Sequence, residues 1–258
     1  MPKMLTSIGL MSGTSLDGID VALVTTDGDE RVARGAFRTY AYDTRARAML
    51  RQAIADARSL RNREDRPGSL AVCERELTAW HADAVRRFCY ETGTSLTSVD
   101  VIGFHGQTVL HRPEAALTVQ IGDGPGLAHS LGRSVVFDLR AADMEAGGQG
   151  APLVPVYHRA LATMLGARPM AMVNIGGVAN LTGIGADGNL IAFDTGPGNA
   201  LINDWCERHL GEAMDRGGAL AASGHADRKV LAALMENEYF KRPPPKSLDR
   251  DAFDVSGL

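Results

Sequence analysis

The sequence predicts an α/β protein built from two related lobes. Three observations predict this fold: strand-like and helix-like apolar patterns alternate, a three-strand meander opens the chain, and a similar meander recurs from residue 171 onward. The repeat is one of pattern rather than of identity. We therefore expect a first lobe over residues 1–170 and a second lobe over residues 171–258.

The composition is that of a globular chain and excludes several classes of partner. Of 258 residues, 45% are apolar and 22% are charged, which is enough for one large or two modest cores. A net charge of −4 without any Lys/Arg cluster argues against a nucleic-acid or anionic-membrane partner. The sequence has no leader pattern and no apolar run of membrane length, so we expect a cytoplasmic protein. Three cysteines without CxxC spacing predict buried thiols rather than disulfides or a zinc site.

The first lobe begins with a meander that is followed by two helices. The predicted strands cover residues 8–11, 19–24 and 32–40, and the predicted helices cover residues 45–57 and 69–90. In the second helix, apolar residues recur at spacings of three and four: Cys73, Leu77, Trp80, Ala84 and Phe88. That spacing predicts a stripe that faces the core.

The turn between the first two strands is the most informative segment. It reads MSGTSLDG over residues 11–18 and offers backbone N–H groups, three hydroxyls and a carboxylate: Gly13, Gly18, Ser12, Thr14, Ser15 and Asp17. Such groups can converge on phosphate oxygens, and a carboxylate suits Mg²⁺ and its waters. A Walker loop is excluded because it needs a lysine and a following helix, whereas a strand follows here. An ordinary hairpin turn remains the alternative to a Mg-nucleotide site.

Polar residues also gather where later strands are predicted to stop. They are residues 105–108 after the strand 99–104, Gln120 near the end of the strand 117–121, Asp138 and Arg140 after the strand 134–137, and the glycine-rich segment 147–150 before a helix near 153–165. In open α/β sheets, ligands bind outside the carboxyl ends of strands. These segments therefore predict one side of a cleft.

The second meander, with predicted strands over residues 171–175, 181–184 and 190–193, repeats the opening arrangement. Gly176 and Gly177 lie in the turn that corresponds to the first phosphate turn. Two such turns predict two lobes that clasp one nucleotide. Asp194 follows the last strand on a turn that Pro197 makes rigid, before a helix over residues 200–210. We take Asp194 as the candidate general base, although aspartate is also favoured as a helix cap or turn residue.

Five motifs, in order along essentially the whole chain, closely resemble those of anhydro-N-acetylmuramic acid kinases: residues 8–18, 105–108, 147–155, 174–177 and 193–199. The resemblance implies an actin-like (ribonuclease H-like) ATPase fold with a central nucleotide cleft, in a cytoplasmic enzyme of cell-wall recycling. It implies that ATP and water convert 1,6-anhydro-N-acetylmuramic acid to N-acetylmuramic acid 6-phosphate as the 1,6-anhydro bond is hydrolysed. Members are often dimers, so a homodimer stays open.

The resemblance also assigns residues. Asp194 matches the base that takes the proton from the attacking water. The positions that match the ATP site are Ser12, Gly13, Thr14, Ser15, Leu16, Asp17, Gly18, Gly176, Gly177 and Asn180. Mg²⁺ is expected beside the phosphates, with Asp17 reaching it through water. The positions that match the sugar cleft are His105, Gln107, Gln120, Asp138, Arg140 and Gln149. A guanidinium suits the lactyl carboxylate, which favours Arg140, while His105 fits substrate contact and a structural hydrogen bond equally.

The chain departs from the family pattern at its end, where the family continues with more of the second lobe. Residues 171–258 are few for a lobe with its own core, so we expect a second lobe that is incomplete. Two alternatives stay open: another sugar kinase or ATPase of the same superfold, and a non-catalytic remnant that binds the anhydrosugar but not ATP.

Overall fold

Two sheets organise the chain, one in each of the units into which it divides, Met1–Gly166 and Ala167–Leu258. The computed structural model describes residues 3–13, 15–249 and 252–253. Strands and helices alternate along both units, and the first sheet is mixed. The predicted α/β class is therefore confirmed.

The first unit is built on a six-stranded sheet. Its strands are β1 (Leu5–Ser12), β2 (Gly18–Thr26), β3 (Val32–Ala41), β4 (Val101–Arg112), β5 (Leu117–Ile121) and β6 (Ser134–Phe137). The order is β3-β2-β1-β4-β5, and β6 pairs with the first part of β4. β4 is parallel to β1 and β6, and the other pairs are antiparallel, so the opening meander is present as predicted.

Five helices accompany this sheet among the described residues: α1 (Thr44–Ala57), α2 (Leu70–Thr92), α3 (Gly124–Leu131), α4 (Leu139–Glu145) and α5 (Pro155–Leu165). α1 and α2 confirm the two predicted helices. Asp43 caps α1, since its carboxylate accepts the Ala46 N–H at 2.7 Å. The predicted stripe of α2 faces the core, where Leu77 and Phe88 are fully buried together with Ile8 and Ile102 of the sheet.

The motif over residues 105–108 lies inside β4, not in a loop as expected. Gly106 has a φ of +64°, and the pairing register of β1 with β4 shifts between Leu10 and Ser12. A Cβ at position 106 would lie 2.5 Å from the carbonyl oxygen of Ile121, so only glycine fits. The glycine that suggested the end of the strand is instead a bulge, after which β4 continues beside β5.

Two short helices that were not predicted follow β5 and β6. α3 begins behind Asp123, whose carboxylate accepts the Gly126 N–H at 2.8 Å, and α4 contains Arg140. The Gly-Pro-Gly sequence at the start of α3 is typical of a turn, but proline is also tolerated in the first helical turn. Of the two predicted cleft residues after β6, Arg140 is therefore presented by a helix and Asp138 directly precedes it.

The second unit is built on a three-stranded antiparallel meander. Its elements are β7 (Met170–Ile175), β8 (Val178–Ile184), β9 (Leu190–Pro197), α6 (Ala200–Leu210), α7 (Ala219–Ser223), α8 (Arg228–Met235) and α9 (Glu238–Lys241). The second predicted meander and the helix over residues 200–210 are thus present. β9 continues past the predicted end at Phe193, because a bulge opposite Ala179 and Asn180 lets pairing resume at Gly196. Asp194 consequently lies within the strand rather than on a turn.

Membrane and redox features are simple in the described part of the chain. None of its helices combines the length and apolarity that a bilayer span requires. Cys73, Cys89 and Cys206 are free thiols, and Cys73 and Cys206 are buried. The predicted burial is confirmed for Cys73 and Cys206, whereas Cys89 is half-buried.

Candidate active site

The first turn is fastened to the sheet by a buried hydrogen-bond cluster. The Ser12 hydroxyl donates to the Gln107 amide oxygen at 2.6 Å and lies 2.8 Å from the Tyr42 hydroxyl, while the Gln107 amide nitrogen donates to the Gly13 carbonyl at 3.4 Å. Ser12 and Gln107 are fully buried. Since the single Ser12 proton goes to Gln107, Tyr42 is the donor to Ser12. Burial raises the pKa of Tyr42, which keeps this donor protonated.

The tip of the same turn divides into a buried anchor and an exposed polar edge. Leu16 adopts a φ of +55° and places its side chain in the hydrophobic core. Ser15 and Asp17 are exposed, and the Ser15 hydroxyl donates to the Asp17 carboxylate at 2.9 Å. The Ser12 hydroxyl and the Leu16 side chain, both at positions that match the ATP site, therefore have partners within the first unit. Thr14 lies outside the described residues, and Gly18 is buried at the start of β2.

Two of the predicted cleft residues meet beside the bulge of β4. The Gln120 amide nitrogen donates to the His105 carbonyl at 2.6 Å, and the His105 ring nitrogen Nδ1 lies 2.8 Å from the Gly106 carbonyl. The Gln120 amide oxygen is buried and has no hydrogen-bond partner among the described residues. An unsatisfied buried acceptor is uncommon, and a ligand donor would satisfy it.

Arg140 joins the same region from α4. Its guanidinium donates to the Thr108 hydroxyl at 2.9 Å and to the Gly150 carbonyl at 2.8 Å. The Gly150 N–H in turn donates to the Asp143 carboxylate at 2.8 Å, so the glycine-rich segment closes onto α4. These contacts fix the guanidinium beside the second part of β4.

Asp138 and Gln149 have different surroundings. Asp138 forms an ion pair with Arg63, which also pairs with Glu145 at 2.8 Å. Asp138 has a φ of +58° directly before α4. Gln149 is half-buried in the segment between α4 and α5. The described structure thus gathers His105, Gln107, Gln120 and Arg140, and it directs the Asp138 carboxylate to Arg63.

The histidines beside Arg140 are held neutral. Burial lowers the pKa of His105. The hydrogen bond to Gly106 raises this pKa, and the positive charge of Arg140 lowers it. Burial, with the Arg140 charge second, lowers the pKa of His111 to about 4. His111 is 6% exposed and lies 3.2 Å from the Thr118 hydroxyl. With these two imidazoles neutral, Arg140 carries its positive charge beside uncharged rings at neutral pH.

In the second unit, the turn between β7 and β8 packs against the segment that follows β9. The N–H groups of Gly198 and Asn199 donate to the carbonyls of Gly177 and Gly176, each at 2.8 Å. A Cβ on Gly198 would lie 2.1 Å from the Gly176 carbonyl, so this close approach requires glycine. Asn180 lies opposite Asp194, and its amide oxygen is buried without a hydrogen-bond partner among the described residues.

Asp194 is 6% exposed and is held by residues distant in sequence. Its N–H donates to the Lys246 carbonyl at 3.0 Å, and its carbonyl accepts the Tyr239 hydroxyl at 2.7 Å. Its carboxylate oxygen Oδ2 accepts the backbone N–H of Leu248 at 2.8 Å. The carboxylate therefore has a defined orientation within the second unit.

Several contributors to these sites were not predicted: Tyr42, Arg63, Thr108, Asp143, Tyr239, Lys246 and Leu248. Thr108 lies in the motif over residues 105–108, but no local pattern connects it to Arg140 or connects Lys246 to Asp194. The contributors reach their partners across long sequence separations. Thr108 and Arg140 are 32 residues apart, and Leu248 and Asp194 are 54 residues apart.

The described residues contain no group of three or more His, Cys, Asp or Glu side chains that could hold a metal ion. The exposed Ser15 and Asp17 edge still fits a cation that arrives bound to phosphate, since one carboxylate acting through water suffices for Mg²⁺. This edge offers one carboxylate, whereas a resident metal centre would need several protein ligands.

The fold and these sites define a class, an α/β protein of the sugar-kinase type with glycine-bearing turns and a rigidly held aspartate. The family model for anhydro-N-acetylmuramic acid kinase matches residues 5–258. The chain belongs to the anhydro-N-acetylmuramic acid kinase family.

Relatives that carry this family's name are similar along nearly the whole chain. The protein from Rhodopseudomonas palustris strain BisB18 is 54% identical over 98% of this chain and 70% of its own length. Those from Methylobacterium nodulans and Brucella canis are 53% and 52% identical over 96% and 99% of this chain, and 69% of their own lengths. Each is named anhydro-N-acetylmuramic acid kinase.

Ser12→Ala is expected to destabilise the first unit by about 1–3 kcal/mol, because it leaves the buried Gln107 and Tyr42 groups without their shared partner. Ser15→Ala, which removes an exposed hydroxyl of the same turn, should change the free energy of unfolding by less than about 0.5 kcal/mol. Urea unfolding of both variants measures the difference. Equal stabilities would contradict the role given to the buried cluster.

The stability of the protein is expected to fall as pH decreases from about 6.5 to about 4. In that window the unfolded chain protonates His111 whereas the folded chain keeps it neutral. His111→Gln should reduce the slope by up to about 1.4 kcal/mol per pH unit. Urea unfolding at pH 7, 6 and 5 provides the test, with the exposed His129→Gln as the matched control. If stability depends on pH in the His111→Gln variant as steeply as in the parent, the contribution assigned to His111 is wrong.

Proposed function

We propose that this chain converts 1,6-anhydro-N-acetylmuramic acid, ATP and water to N-acetylmuramic acid 6-phosphate and ADP. The observation that carries the proposal is the family match over residues 5–258, within which a buried, hydrogen-bonded Asp194 lies in the motif over residues 193–199. The family is one of kinases, which implies ATP use. The product is an intermediate of cell-wall recycling, and we place the enzyme in the cytoplasm.

The two units are proposed to be the two lobes of an actin-like, ribonuclease H-like ATPase. Each carries an antiparallel meander with a glycine-bearing turn between its first two strands. In the first lobe, the backbone of residues 13–18 and the exposed Ser15 and Asp17 edge would bind phosphate and the hydrated Mg²⁺. In the second lobe, the turn at Gly176 and Gly177, with Asn180 in β8 beside it, would supply the other phosphate contacts. Mg²⁺ would neutralise charge on the β- and γ-phosphates.

Asp194 is proposed to act as the general base. It would take a proton from water as the water oxygen bonds to C1 of the sugar and the C1–O6 bond breaks. The electron pair released to O6 would form the bond to the γ-phosphorus, while the bond from phosphorus to the β,γ-bridging oxygen breaks and ADP leaves. One proton removed at Asp194 thus serves both ring opening and phosphoryl transfer.

The second part of β4 and α4 are proposed to hold the sugar. Arg140, fixed by Thr108 and Gly150, suits the lactyl carboxylate, and the unsatisfied Gln120 amide oxygen suits a donor from a hydroxyl or the N-acetyl N–H. Gln107 acts indirectly in this proposal, since its amide is occupied by Ser12 and Gly13. His105 contributes as a neutral imidazole, and Gln149 and Asp138 complete the predicted set. The partner of the chain is a small molecule, and a homodimer remains compatible with the proposal.

Release of ADP by the purified chain with Mg-ATP tests the proposal. Turnover is expected with 1,6-anhydro-N-acetylmuramic acid, but neither without sugar nor with plain N-acetylmuramic acid. Asp194→Asn should lower kcat by about 10²–10⁴ because it removes the base. Asp227→Asn is the matched control, since asparagine caps α8 as well as aspartate does.

The same experiment separates the alternatives. Turnover with N-acetylmuramic acid would indicate a sugar kinase that phosphorylates an ordinary hydroxyl. Calorimetric binding of the anhydrosugar without binding of ATP would indicate a non-catalytic sugar-binding protein. Full activity of Asp194→Asn would overturn the assignment of the base.

Arg140→Lys is expected to raise the KM for the anhydrosugar about tenfold or more with a smaller effect on kcat. Lysine keeps the charge but loses the planar fork that matches a carboxylate. Initial rates across sugar concentrations measure this effect, and Arg45→Ala on the exposed face of α1 is the control. An unchanged KM in the Arg140 variant would remove the assignment.

A further inference from the structure

The carboxylate of Asp194 accepts a backbone hydrogen bond from a segment that follows a run of prolines. Residues 246–248, the capping segment, run beside β9, and the carbonyl of Lys246 accepts the Asp194 N–H. Two residues later, the N–H of Leu248 donates to Asp194 Oδ2 at 2.8 Å. One short stretch of backbone thus contacts both the main chain and the side chain of Asp194.

We propose that the capping segment positions Asp194 for catalysis, with the Leu248 N–H fixing the carboxylate and stabilising its charged form. This inference rests on the proposed function, in which Asp194 is the base. A hydrogen bond from a backbone N–H to an ionised carboxylate is charge-assisted, and it favours the charged form over the neutral acid. A donor that is part of the backbone also restricts rotation of the carboxylate about its Cβ–Cγ bond.

The capping segment is itself fixed in place. Residues 243–245 are three prolines, whose rings hold φ near −65°. The Lys246 ammonium donates to the Tyr239 carbonyl at 2.9 Å and lies 4.6 Å from the centre of the Tyr239 ring. Tyr239 is 4% exposed and donates its own hydroxyl to the Asp194 carbonyl. Asp194, Tyr239 and Lys246 therefore form a closed set of hydrogen bonds.

Three described parts of the second unit contact Asp194: α9, β8 and the capping segment. α9 presents Tyr239, with Arg242 directly after it, and the capping segment presents the Lys246 ammonium. β8 presents the neutral Asn180 opposite Asp194. Burial raises the pKa of Tyr239, and the Asp194 charge raises it further, so Tyr239 remains a donor at neutral pH.

Removal of the Leu248 N–H tests the proposal directly. Leu248→Pro lacks this donor, and replacement of Leu248 by the matching α-hydroxy acid exchanges the N–H for an ester oxygen with the side chain intact. Leu248→Ala keeps the N–H and is the matched control. The pKa of Asp194 is read from the carboxyl ¹³C resonance during a pH titration of the full 258-residue chain, with Asp194→Asn assigning the signal.

The ester and proline variants are expected to raise the Asp194 pKa by about one pH unit, whereas Leu248→Ala leaves it at the parent value. The acidic limb of the kcat/KM profile should move to higher pH by the same amount, which a purely structural role would not cause. If Leu248→Pro does not fold, the ester variant decides.

An Asp194 pKa in the ester variant equal to that of the parent would overturn the inference. Full activity of Asp194→Asn would instead overturn the proposed function. The titration reads the carboxylate without turnover, so the two failures are distinguishable.

Discussion

The bulge at Gly106 is the constraint on which the site of the first unit depends. Only glycine tolerates the approach of the Ile121 carbonyl at this point, and the bulge lets β4 leave β6 and continue beside β5. Gln107 consequently turns beneath the first turn, where it holds Ser12 and Gly13, and Thr108 meets Arg140. Without the bulge, the register would shift by one residue, and each of these side chains would lie on the opposite face of the sheet.

The second unit uses the same device at its own site. In β9 the register shift leaves Thr195 unpaired between Asp194 and Gly196, and the Thr195 hydroxyl donates to the Ala179 carbonyl at 3.1 Å. Bulges of this kind re-aim side chains next to functional sites. In the proposed reaction, little conformational entropy would be lost at Asp194, because a strand rather than a loop carries it.

Regular apolar periodicity made the strands and helices predictable from the sequence. The long-range contacts could not be predicted in this way. Both meanders and the helices α1 and α2 followed from apolar spacing. The ends of β4 and β9 were wrong, because the glycine and polar residues typical of strand ends are also those of bulges. The hydroxyl of Ser12 suited a phosphate loop by residue type, but it is buried by contacts that the local sequence does not encode. Likewise, Tyr239 and Leu248 reach Asp194 across 45 and 54 residues.

The prolines before the capping segment affect a local opening equilibrium. Residues 241–245 are exposed, and segments of this type open at a free-energy cost well below that of global unfolding. Detachment of residues 246–248 would remove these backbone partners of Asp194, so the fraction of molecules with a held carboxylate would change tenfold for each 1.4 kcal/mol in this equilibrium. Three adjacent prolines reduce the conformational entropy of the detached state. They therefore favour the seated population without contacting Asp194.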